Sequence, residues 1–212
     1  MVRKEEELRL AGYVQPYRKG IARVAQAVFS LGWAEANAGN FSYRILGGLL
    51  TKTAGAKMGE IAKDPLPYIC VVFPVNGFRY KVLPENRKPT SEILAHLAGQ
   101  RTLMRHRPEE RVLLHTHPTE LVRLSTQYSS PKGLLEQIFS QRKGRDWRTI
   151  VSAVKAAPPG SVLLARRTGL ALKKSRLVIW PGHGVIASGR TLFQALRLIK
   201  AVNEIVAGKN DK

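Results

Sequence analysis

Apolar residues recur at helical spacing in four stretches of the chain, and β-rich runs fill much of the sequence between them. In "YRKGIARVAQAVFSLGWA", Ile21, Val24, Ala25, Val28 and Phe29 fall on one face, which predicts an amphipathic helix over residues 15 to 31 ending near Gly32. "NFSYRI" and "LLTKT" read as short strands around Gly47-Gly48. In "YICVVFPVNGFRYKVL" two β-rich runs flank Asn76-Gly77, a dipeptide that tolerates positive φ, and this predicts a hairpin. After Pro89, Ile93, Leu94, Leu97 and Leu103 predict a second helix, with Thr90 or Ser91 as its N-terminal cap and Glu92 in its first turn. The strand "RVLLH" follows. Beyond the Pro-Pro-Gly-Ser break at 158 to 161, "VLLARRTGLAL" reads as helix, "RLVIW" and "VIAS" as strands joined by the turn "PGHG", and residues 191 to 208 as a final helix closed by Gly208. Hairpins interspersed with helices predict one domain over residues 1–212, α/β or α+β in class, with a mainly antiparallel or mixed sheet covered by helices. No internal repeat or low-complexity tract interrupts it.

Composition narrows this little. A chain of 212 residues suits one sizeable core. Its apolar runs are far shorter than the roughly 20 residues a bilayer requires, and "MVRKEEELRLAGYV" lacks the apolar core of a secretory signal. The lone cysteine, Cys70, excludes an internal disulfide and reads as a small buried hydrophobe. The cytoplasm is the expected compartment. Charge is the unusual feature: 35 Lys and Arg against 15 Asp and Glu give a net +20, a field that favours anionic partners. The basic residues are nevertheless scattered, densest at 142 to 148, 165 to 167 and 173 to 176, with no interleaved aromatic strand, so they read as a solvated surface rather than a nucleic-acid face.

Candidate chemistry centres on "RVLLHTHPTE". Alternate strand residues share a face, so His115 and His117 can offer two nitrogens to one ion at about 2.0–2.1 Å. A His-x-His pair also occurs as the polar end of a strand, and a third ligand is needed. His183 in "PGHGV" is the candidate, because Gly182 and Gly184 let the backbone approach an ion. His96 and His106, in and at the end of the second helix, read as structural or solvated. Glu92 is explained by the helix dipole alone, yet a helix start with Thr90 and Ser91 hydroxyls is also a phosphate site. Asn37, Gly39 and Asn40 in "WAEANAGNFSYR", and the loop "TKTAGAK", are either irregular turns or further phosphate donors. Neither has the spacing of a Walker loop.

"GWAEANAGNFSYR", "LLTKTAGAK", "PTSEILAHLA", "LLHTHP" and "WPGHGVIASGRTL", in this order, resemble the class II aldolase/adducin superfamily of zinc-dependent sugar-phosphate enzymes, over about residues 20 to 207. Within it the likeness is greatest to the ketose-1-phosphate aldolases, first of rhamnulose type and then of fuculose type. The resemblance implies that His115, His117 and His183 hold a catalytic Zn²⁺ and that Glu92 is the catalytic carboxylate. It places the substrate phosphate against Asn37, Gly39, Asn40, Thr53, Gly55, Thr90 and Ser91, and implies a homotetramer with sites between subunits. The expected reaction is reversible cleavage of a ketose-1-phosphate to dihydroxyacetone phosphate and an aldehyde such as lactaldehyde. The family's group for the aldehyde oxygen, a tyrosine or a second glutamate, has no counterpart in register; Glu136, Tyr128 or a neighbouring subunit are the candidates. The alternatives are a sibling pentulose-5-phosphate 4-epimerase or methylthioribulose-1-phosphate dehydratase, and a non-catalytic or nucleic-acid-binding member of the fold.

Overall fold

The computed structural model describes residues 2–139 and 147–208, so most of the basic run at 142 to 148 lies outside the described residues. The strands are β1 (Asn40–Ile45), β2 (Gly48–Lys52), β3 (Ile69–Asn76), β4 (Arg79–Leu83), β5 (Val112–Thr116), β6 (Val151–Ala153), β7 (Leu177–Trp180) and β8 (Gly184–Gly189). They form one sheet in the order β4-β3-β2-β1-β5-β8-β7-β6. Every pairing is antiparallel except β6 with β7, so the sheet is mixed. The helices among the described residues are α1 (Val2–Val14), α2 (Arg18–Ser30), α3 (Met58–Lys63), α4 (Ile93–His106), α5 (Thr119–Ser125), α6 (Pro131–Phe139), α7 (Val162–Ala171) and α8 (Leu192–Val206). None is long and apolar enough to cross a membrane.

Strand alternation divides the interior. Phe41, Val112 and Leu114 face one way and pack with Val14 of α1, Ile21 and Val24 of α2 and Ile199 of α8. Leu113, Val178 and Ile186 face the other way, against Ala95 and Leu103 of α4 and Leu164 and Ala165 of α7. The second layer is thin because α4 lies close to the sheet. A Cβ on Gly99 would come within 2.6 Å of Leu113 Cδ1 and 2.9 Å of Leu172 Cδ1, so a residue without a side chain is required at that crossing. That closeness lets polar side chains of α4 reach β1.

The hairpin at Asn76-Gly77 forms as expected, with Gly77 at φ +49° and an irregularity in register between Pro74 and Asn76. The start of α4 differs from expectation. Its first helical residue is Ile93, and Glu92 is itself the cap residue, with φ −95° and ψ 16°. Neither Thr90 nor Ser91 caps the helix. Thr90 instead accepts the Glu92 N–H on Oγ1 at 3.4 Å, closing a turn that aims the Glu92 carboxylate away from the helix axis and toward the strands.

Candidate active site

The site is built where β5 ends. His115 is the fourth residue of β5, and its neighbour in β8 is Ile186. The turn between β7 and β8 carries His183 back across the end of β5, and the three rings meet edge to face, with centroids 4.8 to 5.3 Å apart. One nitrogen from each of His115, His117 and His183 lies within 4.8 Å of the other two. Gly184 makes this possible: a Cβ there would sit 2.7 Å from His117 Cδ2, 2.7 Å from the Thr116 carbonyl oxygen and 2.8 Å from His115 Cε1. Trp180 backs the cluster, its ring 4.6 Å from that of His115, and its indole N–H donates to Thr168 Oγ1.

The protonation pattern follows from partners that can only accept. His115 Nδ1 lies 2.9 Å from the Val185 carbonyl oxygen, so it carries the proton. Burial pushes His115 down to about 3, despite the Glu92 carboxylate beside it, so the ring is neutral at ordinary pH and its Nε2 is bare. That bare nitrogen faces Glu92 Oε2 at 3.1 Å, while Glu92 Oε1 is 2.8 Å from His183 Nε2. Burial alone would raise the Glu92 carboxyl, but with His115 neutral it is the hydrogen bonds from His183 Nε2 and Asn40 Nδ2 that favour the charged form and hold the group below the usual carboxylate range. Burial also lowers His117. Two acceptors thus confront each other, and His183 Nδ1 is buried with no partner among the described residues. Three imidazole nitrogens beside one carboxylate form a donor set that suits a divalent cation, and the hydrogen bond to Val185 orients a ligand histidine in the customary way.

Beside the cluster opens a cleft of about 320 Å³, large enough for a small phosphorylated ligand. It is lined by Asn37, Gly39, Asn40, Gly55, Thr90 and Ser91, by Glu92 and by the three histidines, so nearly every residue singled out from the sequence is brought together. Thr53 is not among them. Its hydroxyl turns to the Tyr68 carbonyl at 3.2 Å and its backbone bridges to Pro89. Asn40 borders the cleft, but both ends of its amide are engaged: Nδ2 donates to Glu92 Oε2 at 2.9 Å and Oδ1 lies 2.6 Å from His96 Nε2. Tyr128 packs against the main core and Glu136 is exposed beside Lys132; neither lines the cleft.

Sequence reasoning passed over Lys52. It is 2% exposed, borders the cleft, and donates to the carbonyls of Asn37 and Ala56, both at 2.6 Å, so one ammonium ties the two glycine loops together. Burial lowers it to about 8, partly offset by the carboxylates of Glu92 and Glu60. The available signal was its position at the end of the strand "GLLTK", whose five residues are all buried.

Comparison with known proteins agrees with this geometry. A family profile described as Class II Aldolase and Adducin N-terminal domain matches residues 19–207. A rhamnulose-1-phosphate aldolase of Listeria welshimeri is 24% identical over 234 residues, covering 91% of this chain and 82% of the relative. The crystal structure of a sugar-phosphate aldolase from Thermotoga maritima superposes with a TM-score of 0.73 at 26% identity, covering 93% of this chain and 94% of the other. An L-fuculose-1-phosphate aldolase structure from Thermus thermophilus gives 0.66 at 24% identity, over 89% and 90%.

Proposed function

The chain belongs to the class II aldolase and adducin family, and from that premise we propose that it is a zinc-dependent aldolase that reversibly cleaves a ketose-1-phosphate, of rhamnulose or fuculose type, to dihydroxyacetone phosphate and lactaldehyde or a similar aldehyde. The observation that carries this reading is the confrontation of a bare His115 nitrogen with an ionised Glu92 at the floor of a cleft rimmed by amide, hydroxyl and glycine residues. Zinc, held by His115, His117 and His183, would supply Lewis acidity for the negative charge that develops on the substrate's ketone oxygen. The remaining work falls to the chain's own groups. Asn37, Gly39, Gly55, Thr90 and Ser91 hold the phosphate, and Lys52 both fixes their loops and adds positive charge beside it. A phosphate so anchored turns the carbon next to the ketone toward Glu92. In the synthetic direction Glu92 takes the proton from that carbon, leaving the carbon free to attack the aldehyde; in cleavage it returns it. The enzyme is read as a cytoplasmic homotetramer.

A second reading is favoured by one observation. No tyrosine or second glutamate among the described residues borders the cleft to serve an aldehyde oxygen. A sibling activity on the same site, dehydration of methylthioribulose-1-phosphate, forms no aldehyde and would not call on that group, whereas in an aldolase, or in a pentulose-5-phosphate 4-epimerase working by the same cleavage, a neighbouring subunit would supply it. The test is incubation of the zinc-loaded protein with dihydroxyacetone phosphate and a panel of short aldehydes. A carbon–carbon coupled product with lactaldehyde is the expected result, and no coupling with any aldehyde retires the aldolase reading.

A further inference from the structure

Behind Glu92 runs a buried chain of hydrogen bonds that the reaction itself does not use. Glu92, His96 and Gln100 are spaced i, i+4, i+8 along α4, and Asn40 and Ser42 are spaced i, i+2 along β1, so the two sets interleave across the helix–sheet boundary. Gln100 Nε2 donates to the Arg111 carbonyl at 3.1 Å and to Ser42 Oγ at 3.0 Å. Ser42 Oγ lies 2.9 Å from His96 Nδ1, His96 Nε2 lies 2.6 Å from Asn40 Oδ1, and Asn40 Nδ2 lies 2.9 Å from Glu92 Oε2.

We propose that this chain is directional, and that Gln100, Ser42 and His96 are positioning residues that turn the Asn40 amide so that its N–H groups, not its oxygen, face the Glu92 carboxylate. The inference rests on the reading of Glu92 as the catalytic carboxylate. The direction is forced link by link from the far end. A backbone carbonyl only accepts, so the Arg111 oxygen fixes the Gln100 amide with its NH₂ toward Ser42. Ser42 then accepts from Gln100 and, having no other acceptor for its hydroxyl among the described residues, donates its single proton to His96 Nδ1. That leaves His96 neutral with its proton on Nε2, in keeping with its complete burial. The Nε2 proton goes to Asn40 Oδ1, and the Asn40 NH₂ is left facing Glu92. Reversing any upstream link would bring the Asn40 oxygen against the carboxylate, two acceptors in a dry interior, which is costly. A side chain remote from the substrate therefore sets the hydrogen bonding of the group that moves the proton.

Gln100→Glu tests this with almost no change of shape. The buried carboxyl keeps its one proton toward the Arg111 carbonyl and presents only lone pairs to Ser42, so Ser42 donates to it and accepts from His96 Nδ1, and the whole chain inverts. In the wild type, long-range nitrogen–proton NMR correlations of the histidine rings are expected to show His96 with its proton on Nε2. In Gln100→Glu they are expected to show it moved to Nδ1, with kcat about 10- to 100-fold lower, KM little changed and zinc stoichiometry unaltered. Ser42→Ala, which removes the central link without adding charge, is expected to leave a mixture of the two ring tautomers and an intermediate kcat, and it carries the test should Gln100→Glu not fold. A wild-type His96 protonated on Nδ1, or variants whose tautomer and kcat match the wild type, would overturn the proposal. If no aldehyde couples with the wild-type protein, the aldolase reading fails while the tautomers still decide the direction of the chain.

Discussion

Gly184→Ala puts a single methyl group into the histidine cluster. Gly184 has an ordinary φ, so the substitution carries no backbone strain of its own and its effect is one of contact. Three atoms stand within 2.7 to 2.8 Å of the new Cβ, against 3.4 Å for ordinary contact, so something must move by about 0.6 to 0.7 Å. The Thr116 carbonyl cannot, because β5 and β8 are paired in register on either side of it. His115 is held by its bond to Val185 and by Trp180. His117 is the freest of the three, yet its ring is one of the candidate ligands. Overpacking of this kind costs about 1–3 kcal/mol, and metal sites tolerate ligand displacements of only about 0.2 Å. Zinc affinity is expected to fall at least about 10-fold, as it does when the support of a ligand is disturbed, together with a lower melting temperature in the metal-free protein. Competition with a fluorescent chelator measures the first and calorimetry the second. Gly20→Ala is the control, since nothing lies within 4 Å of its Cβ: it should leave zinc affinity unchanged and, as an exposed helical position, raise rather than lower the melting temperature. Gly184→Ala protein that binds zinc as tightly as the wild type would refute the assignment of the three histidines to one ion.

The metal-free protein should lose stability as pH falls from 6.5. Burial holds His96 at about 4 and His115 at about 3, so below 6.5 the unfolded chain binds protons that the folded one does not, costing about 1.4 kcal/mol per pH unit for each ring. Glu92, lowered in the fold, adds to the loss once pH drops below 4.5; urea melts that are flat between pH 7 and 5 would contradict this. Lys52→Met should raise KM for dihydroxyacetone phosphate about 10-fold or more while leaving activity on unphosphorylated dihydroxyacetone nearly unchanged, if the loops it ties hold the phosphate as proposed. Equal effects on both compounds in steady-state kinetics would place it elsewhere. Glu110→Gln should destabilise the fold by about 3 kcal/mol, since it leaves Arg107 partly buried without its carboxylate; a shift in urea midpoint worth less than about 1 kcal/mol would show that the other partners of Arg107 suffice.

How much of this was readable from the sequence depended on whether a property belonged to one element or to several. His115 and His117 were legible because strand period alone puts them on one face, and His183 because its flanking glycines announce a close approach. Helices α2, α4, α7 and α8 were legible from one-sided burial. By contrast α3, α5 and α6 are 6, 7 and 9 residues long, and β6 is 3, too short for periodicity to declare itself. His96 was read as structural or solvated because nothing local to α4 shows that β1 passes opposite it with an asparagine and a serine in step; that register is set by β1 pairing with β5, where Asn40 stands across from His115. The same distinction separates the chain's acids, which number 15 against 35 basic residues. Among the described residues only two of them, Glu92 and Glu110, are buried, at opposite ends of the β5–β8 pair. Glu110 receives Arg107 at 3.1 Å, Arg176 at 2.8 Å and the Ser188 hydroxyl at 2.5 Å, so its charge is met by permanent cations and the arrangement is complete as it stands. Glu92 is met by two imidazoles and one amide. Glu92 has no Lys or Arg within ion-pair distance among the described residues, an arrangement a bound cation would complete, and a surplus of basic side chains elsewhere on the chain does not reach it, which is why the net charge said little about the site while three histidines said a great deal.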